Sequence, residues 1–306
     1  MIYIVGHKNP DTDTVCASIA LAELKNKLGD GAEAVVQGKL GPETEFVLNK
    51  FRVQAPEILA DGKDKDIILV DHSDFSQTID NLDTSRLRGI VDHHKLGDIT
   101  TPNPVEIWAW PVGSSCTVIK GMFDFHNLKP GKETAGLMLC AILSDTVIFK
   151  SSTCTDKDIK TAEELAEIAG VEKIEELGLE MFKAKSEIEG ASAKELLQRD
   201  YKDFEMSGKK VGIGQLEMVD ITMVNDIKDS LRDEMKKLKE EGRHSVFLLL
   251  TDIMKEGSEL LVESDDDSVV KYAFDVEAKD KTAWLEGVMS RKKQVVPNME
   301  KAFSQI

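Results

Sequence analysis

Several things are missing from this 306-residue chain, and each absence excludes a class of protein. No apolar run reaches the roughly 18–20 residues that span a bilayer, so no membrane partner is expected. The start, MIYIVGHKNPD, has neither a basic opening nor a long apolar core, so it does not read as a signal peptide. Bases are outnumbered by acids, 39 to 56, which leaves a net charge of −17. Nucleic acid is therefore not an expected partner, because a phosphate backbone needs basic patches to hold it. CxxC pairs are absent, and Cys16, Cys116, Cys140 and Cys154 each sit in an apolar or helical setting. They read as reduced, mostly buried thiols of a cytoplasmic protein. No P-loop, GxGxxG or GxSxG motif is present, so neither nucleotide cradling nor covalent serine catalysis has a motif behind it.

What remains is globular. Hydrophobic residues make up 41% and charged residues 31%, which rules out wholesale disorder, and the length suggests two domains. The first half alternates short apolar runs with helical patterns. Strands are expected at 2–5, 34–36, 67–70, 89–91 and 106–110, with helices at 14–28 and 43–51. Helices then follow one another at 116–125, 132–144, 156–169 and 171–185, the last two separated by Gly170. This order argues for an α/β domain with a parallel sheet. A small, polar stretch at 186–193 reads as a linker. Beyond it, 201–206 and 210–216 form a hairpin pattern around Ser207-Gly208. A long amphipathic helix is expected at 221–241, with strands at 245–251 and 260–263 and a closing strand at 288–290. The acidic run 263–267 reads as a solvated turn or helix start.

The chemistry collects after strands. His7, Asp11 and Asp13 follow the first, Asp71-His72 another, and Asp92-His93-His94 a third. In open α/β sheets, sites form outside the carboxyl ends of strands, so the three clusters should converge on one sheet edge. Imidazoles with several carboxylates suit Mn²⁺, Fe²⁺ or Co²⁺, and without nearby cysteine a structural zinc site is not expected. Asp11, Asp13, Asp71 and a fourth carboxylate exceed what one divalent ion requires. Two ions sharing a bridging carboxylate is the economical solution. Asp145, at the end of the apolar stretch GLMLCAILSD, is a candidate for the fourth, although capping of the next turn fits it as well. Asp11 and Asp13 equally suit helix capping, Asp13 in particular. Asp92 has a second reading as an orienting partner for a histidine, and His72 as a neighbour of the site or a loop residue. Ser290-Arg291-Lys292-Lys293-Gln294, three adjacent bases in an acidic chain, suits anion binding or a solvated loop. Lys202 alone carries little signal.

Together, GHKNPDTDT, LVDH, GIVDHH and SRKKQVVP resemble the family II, manganese-dependent inorganic pyrophosphatases of the DHH phosphoesterase superfamily. The DHH triplet marks the superfamily, and SRKKQ narrows the resemblance to pyrophosphatases. It implies an N-terminal DHH domain over 1–187, a linker at 188–193 and a smaller α/β DHHA2-type domain over 194–306. The active site would lie in the interdomain cleft, completed by closure about the linker. It implies that His7 and Asp11 bind one metal, that Asp13, His93 and Asp145 bind the other, and that Asp71 bridges them. His94, Lys202, Arg291 and Lys292 would bind the substrate, pyrophosphate, and stabilise its phosphoryl groups. The implied reaction is hydrolysis to two orthophosphates by a metal-bridged hydroxide. The implied cofactors are two Mn²⁺ per subunit, replaceable by Co²⁺, with Mg²⁺ arriving on the substrate. A homodimer formed through the N-terminal domain is also implied. Ser73-Asp74 departs from the Asn-Glu of many members, outside the direct ligands.

Rival readings fit less well. DHH phosphodiesterases usually carry a glycine-rich GGGH-type motif, and this chain has no Gly-Gly pair and only three Trp and three Tyr for stacking bases. A non-enzymatic sensor on the same scaffold is expected to lose ligands, and none is lost here. An exopolyphosphatase would share both the metals and the basic grip.

Overall fold

A computed structural model describes residues 1–185 and 191–305 and divides the chain into two compact units, Met1–Ala184 and Lys185–Ile306. The molecule is an α/β protein. Unit 1 carries a parallel sheet of β1 (Ile2–Val5), β2 (Ala32–Val36), β3 (Glu57–Ile58), β4 (Asp66–Val70), β5 (Leu87–Asp92) and β6 (Glu106–Ala109). Their order is β3-β2-β1-β4-β5-β6, so the chain direction across the sheet reverses between β1 and β4. The register aligns the carboxyl ends: Val5 sits opposite Leu69, and Val70 opposite Val91. The segments after β1, β4 and β5 therefore leave the sheet side by side at its switch point.

The helices of this unit are α1 (Thr12–Leu28), α2 (Pro42–Phe51), α3 (Ser115–Phe125), α4 (Lys132–Asp145), α5 (Asp156–Ala169) and α6 (Ile174–Lys185). Helix α1 starts where Asp11, not Asp13, caps it: the Asp11 carboxylate accepts from the Thr14 N–H at 2.9 Å. Asp13 falls inside the first turn and is left for other partners. Gly29, at φ +92°, ends the helix in the left-handed conformation that glycine adopts without strain. Helix α4 is buried from Thr134 to Ser144 and packs on α1 and α5, which explains a sequence that is apolar all round.

Of the expected linker, 186–190 lie outside the described residues. Its end is structured: Ser192 caps α7 (Ala193–Gln198) in a reciprocal capping box with Glu195. Unit 2 is built on β7 (Tyr201–Met206), β8 (Lys209–Met218), β9 (Ser245–Asp252), β10 (Gly257–Ser264) and β11 (Thr282–Glu286), in the order β11-β10-β9-β8-β7. Only β8 and β9 pair in parallel. Central β9 is buried throughout, and its alternation supplies two cores. Phe247 and Leu249 face Val269, Val270, Met299 and Phe303 on one side, while Val246, Leu248 and Leu250 face Leu231, Met235 and Leu196 on the other. The covering helices are α8 (Lys228–Glu240) with α7 on one face, and α9 (Ser268–Phe274) with α10 (Val296–Phe303) on the other.

Three expectations for this unit change. The helix expected at 221–241 begins as a tighter turn, Ile221–Ile227, because Ile221, Val224 and Ile227 repeat every third residue. No strand forms at 288–290. The backbone N–H groups of Met289 and Ser290 both donate to Gln294 Oε1 at 2.9 Å, so they are withdrawn from any ladder, and the sheet closes instead at β11. In the acidic run, Glu263 is not solvated: it is buried, 2.8 Å from Lys281 Nζ, and only the residues after it turn into α9.

Candidate active site

Gly6 brings the chain over the start of α1. A methyl group there would lie 2.1 Å from Thr14 Cγ2, so the turn that carries His7 and Asp11 needs glycine. The loops after β1, β4 and β5, with the end of α4, then bring seven expected residues into three overlapping groups. These are His7, Asp11 and Asp71; Asp13, His93 and Asp145; and Asp71, His93 and His94, with ligand atoms in each group within 4.8 Å of one another.

Asp71 is the centre. Its Oδ2 lies 3.4 Å from His7 Nε2 and its Oδ1 lies 3.4 Å from His93 Nε2, so its two oxygens face two different groups. Thr14 Oγ1 donates to Oδ2 at 2.6 Å and Ser115 Oγ to Oδ1 at 3.0 Å, which fixes the carboxylate plane. The residue sits at φ +64°, a left-handed conformation that costs a non-glycine about 1–3 kcal/mol and that clusters at functional sites. Asp13 is held as firmly: Ser114 Oγ and the N–H groups of Ser115 and Cys116, at the start of α3, donate to it at 2.7, 2.7 and 3.2 Å. His93 Nδ1 lies 3.0 Å from the Val112 carbonyl, which aims Nε2 at Asp71 and at Asp145, 3.6 Å away.

Asp145 does not cap a turn. It faces Asp13, and Thr146 takes the helix end. The backbone beyond it is unusual: Val147, Ile148 and Phe149 are all left-handed, at φ +50°, +52° and +66°. A β-branched residue rarely tolerates this. Thr146 anchors the turn, since its Oγ1 donates to Ile142 O and accepts from Phe149 N.

Asp92 orients its neighbours. Its Oδ1 accepts from the N–H groups of His93 and His94 and lies 2.9 Å from His94 Nδ1. His72 is buried, with Nδ1 2.9 Å from Val70 O, and its burial lowers its pKa and keeps it neutral. Glu43 was not legible as a site residue. Its Oε2 accepts from Thr12 Oγ1 at 3.0 Å and from Ser144 Oγ at 2.9 Å, so one buried carboxylate ties the Asp11–Asp13 turn to the residue before Asp145. Ser114 and Ser115 were also missed, although GSSCT carries a helix-start signal.

Four carboxylates and three imidazoles this close need cations. Without metal, protons take that place. Although burial opposes it, Asp11 and Asp71 push the His7 pKa up to about 11, and Asp71 pushes His93 up to about 9. Burial and the neighbouring carboxylates raise Asp13 to about 6 and hold Asp145 well above the usual range. Despite its burial, Asp71 is held well below that range by His7 and His93. The donor set, mixed imidazole and carboxylate with one carboxylate turned both ways, fits a pair of divalent transition-metal ions.

The basic residues expected to bind anions lie in unit 2. Lys202 is exposed on β7, and Lys292 is exposed in the wide helical turn Arg291–Val295. Gln294 shapes that turn, accepting from Met289 and Ser290 and donating to Gly287 O, while Gln215 Oε1 accepts from Arg291 N at 3.1 Å. The Arg291 guanidinium donates to Asp200 and to Ile213 O, and Ile213 is the β8 partner of Lys202. Lys202 and Arg291 therefore share one end of this sheet.

Two family models match: the DHH family N-terminal domain over residues 1–142 and the DHHA2 domain over residues 179–302. The chain is 49% identical to a probable manganese-dependent inorganic pyrophosphatase of Archaeoglobus fulgidus, covering 100% of this chain and 99% of that protein. It is 47% identical to the manganese-dependent inorganic pyrophosphatase of Methanocaldococcus jannaschii, covering 99% and 100%. A crystal structure from Methanococcus jannaschii, provisionally assigned as a family II inorganic pyrophosphatase, superposes with a TM-score of 0.82 at 45% identity, covering 99% of this chain and 100% of that one.

Proposed function

Because the chain belongs to the family II manganese-dependent inorganic pyrophosphatases, with a DHH domain followed by a DHHA2 domain, we propose that it hydrolyses inorganic pyrophosphate to two orthophosphates in a two-metal site. The observation that carries this reading is Asp71, whose two oxygens face His7 and His93 from a left-handed backbone. His7 and Asp11 would hold one ion, Asp13, His93 and Asp145 the other, and Asp71 would serve both. When bound, two Mn²⁺ ions, with Co²⁺ as substitute, would supply Lewis acidity toward phosphoryl oxygens and lower the pKa of a water.

The chain's own residues do the rest. Ser114, Ser115 and Thr14 hold Asp13 and Asp71 so that few ligand rotamers remain to be ordered. His94 has Nδ1 engaged by Asp92, which leaves Nε2 for a phosphate oxygen. Arg291, Lys292 and Lys202 neutralise charge on the transferring and leaving phosphoryl groups. Water oxygen adds to one phosphorus, the bridging P–O bond breaks, and the second phosphate leaves, so that one water proton ends on each orthophosphate. Substrate arriving with Mg²⁺ meets less repulsion from a chain of net charge −17.

The same reading includes a homodimer through the DHH unit. Its support is the edge strand β6, where Ile107 is 54% exposed and Trp108 stacks edge-on with Phe125, itself 69% exposed. Among the described residues, no helix is long and apolar enough to cross a membrane.

The test is phosphate release by metal-stripped protein on adding Mn²⁺, with pyrophosphate, polyphosphate and a dinucleotide assayed in parallel. Restored hydrolysis of pyrophosphate above the others is the expected result. Preference for polyphosphate or the dinucleotide would refute the substrate assignment.

A further inference from the structure

Asp200 holds Arg291, one of the residues proposed above to bind substrate. It directly precedes β7 and is 53% exposed at its side chain, whereas the Arg291 side chain is 10% exposed. Arg291 Nη1 donates to the Asp200 carbonyl at 2.5 Å and to the Ile213 carbonyl at 3.3 Å, and Nη2 donates to Asp200 Oδ1 at 2.6 Å. The same Asp200 carbonyl accepts from Gln215 N at 2.9 Å, and Gln215 Oε1 accepts from Arg291 N. Backbone and guanidinium of Arg291 are thus tied to one point at the start of β7, two residues before Lys202.

A guanidinium has five N–H donors arranged as a planar fork. Here Nη1 donates to two carbonyls and Nη2 to the Asp200 carboxylate, so both terminal nitrogens are engaged. Nε–H has no acceptor among the described residues, and it shares one edge of the fork with a hydrogen of Nη2. That edge matches the spacing of two oxygens of a phosphate and binds it bidentately. A side chain with four rotatable bonds would otherwise sample many poses, and ordering it on binding costs about 0.5–1.5 kcal/mol.

Resting on the pyrophosphatase reading, we propose that Asp200 is a positioning residue for substrate: it clamps one edge of Arg291 and so presents the other to a phosphoryl group of pyrophosphate. Asp200 does not touch substrate, and it does not compete with it, because the two occupy different edges of the same fork. A clamp that acts alike on bound substrate and transition state changes KM more than kcat.

The experiment uses the full-length, Mn²⁺-loaded protein. Wild type, Asp200→Ala, Asp200→Asn, Arg291→Ala and the double variant Asp200→Ala/Arg291→Ala are compared for kcat, KM and the calorimetric affinity for imidodiphosphate. Asp200→Ala should raise KM and the imidodiphosphate Kd about tenfold, equivalent to roughly 1.4 kcal/mol. It should leave kcat within about twofold and lower the melting temperature only slightly, because Arg291 keeps the Asp200 and Ile213 carbonyls as acceptors. Asp200→Asn, whose amide oxygen still accepts from Nη2, should recover most of the loss. In the Arg291→Ala background, Asp200→Ala should add nothing. Unchanged affinity in Asp200→Ala, tighter binding that marks Asp200 as a competitor, or a full effect without Arg291 would each overturn the proposal. Wild type that neither hydrolyses pyrophosphate nor binds imidodiphosphate would sink the pyrophosphatase reading itself, and this inference with it.

Discussion

Glu43 accepts a hydrogen bond from Ser144 across 101 positions of sequence, at 2.9 Å, one residue before Asp145. The same oxygen holds Thr12, between Asp11 and Asp13. Glu43 therefore ties together two segments that carry proposed ligands of one ion, Asp13 and Asp145. Loss of such an outer partner typically weakens metal binding about 10–100-fold. Glu43→Ala should lower Mn²⁺ affinity within that range, and Glu43→Gln, which keeps an acceptor oxygen, should restore most of it. Isothermal titration of metal-stripped protein reads this directly. Equal loss in both variants would show that charge, rather than hydrogen bonding, is the contribution.

Metal binding should release protons. His7 and His93, with pKa values pushed up from the ordinary 6.5 to about 11 and about 9, carry protons at neutral pH in the metal-free protein. Ligation requires the neutral ring. Mn²⁺ affinity should therefore rise as pH increases toward about 9. In the metal-free chain the sign is opposite. The stability these two groups contribute is complete below about 6.5 and is lost as pH rises through about 9 and then about 11. Titration in two buffers of different ionisation enthalpy measures the protons released, and identical heats in both would contradict the assignment.

A second pH effect belongs to unit 2. Although partial burial opposes it, Arg243, Tyr201 and Lys210 hold the Asp203 carboxyl below its ordinary value of 3.8. A depressed carboxyl contributes stability above its unfolded pKa and loses it as pH falls through the folded one. Asp203→Asn should therefore destabilise the protein at neutral pH, and the difference from wild type should shrink as pH falls below about 4. Denaturant melts at a series of pH values check this. A constant difference would mean that the amide disturbs packing instead.

Removal of the apolar edge should give a monomer. Ile107→Asp with Phe125→Glu places one charge on exposed β6 and one on the adjoining end of α3 without touching the buried core. Light scattering should show the mass halved relative to wild type, with the far-UV spectrum unchanged. An unaltered mass would move the interface elsewhere.

The parts of the site that were legible share a cause. A parallel strand announces its own carboxyl end, so His7, Asp71 and His93 could be placed from apolar runs and what followed them. Choosing the cap of α1 between Asp11 and Asp13 was a different matter, because DTDT offers both and only the donors at the start of α3 decide. Glu43 reads locally as an acid in the first turn of α2, and its partners lie 31 and 101 positions away. The loop at 288–290 looks extended in sequence, and the Gln294 side chain that folds it back acts only once the chain has turned. Asp200 carried no motif at all. Its meaning comes from Arg291, 91 positions later.

Asp71 is proposed to join two metal ions. Electron paramagnetic resonance of the protein titrated with Mn²⁺ tests it most directly. Two ions per chain and a spectrum of magnetically coupled Mn²⁺ are expected, with Asp71→Ala losing the coupling. One ion per chain, or two uncoupled ions in the wild type, would contradict it.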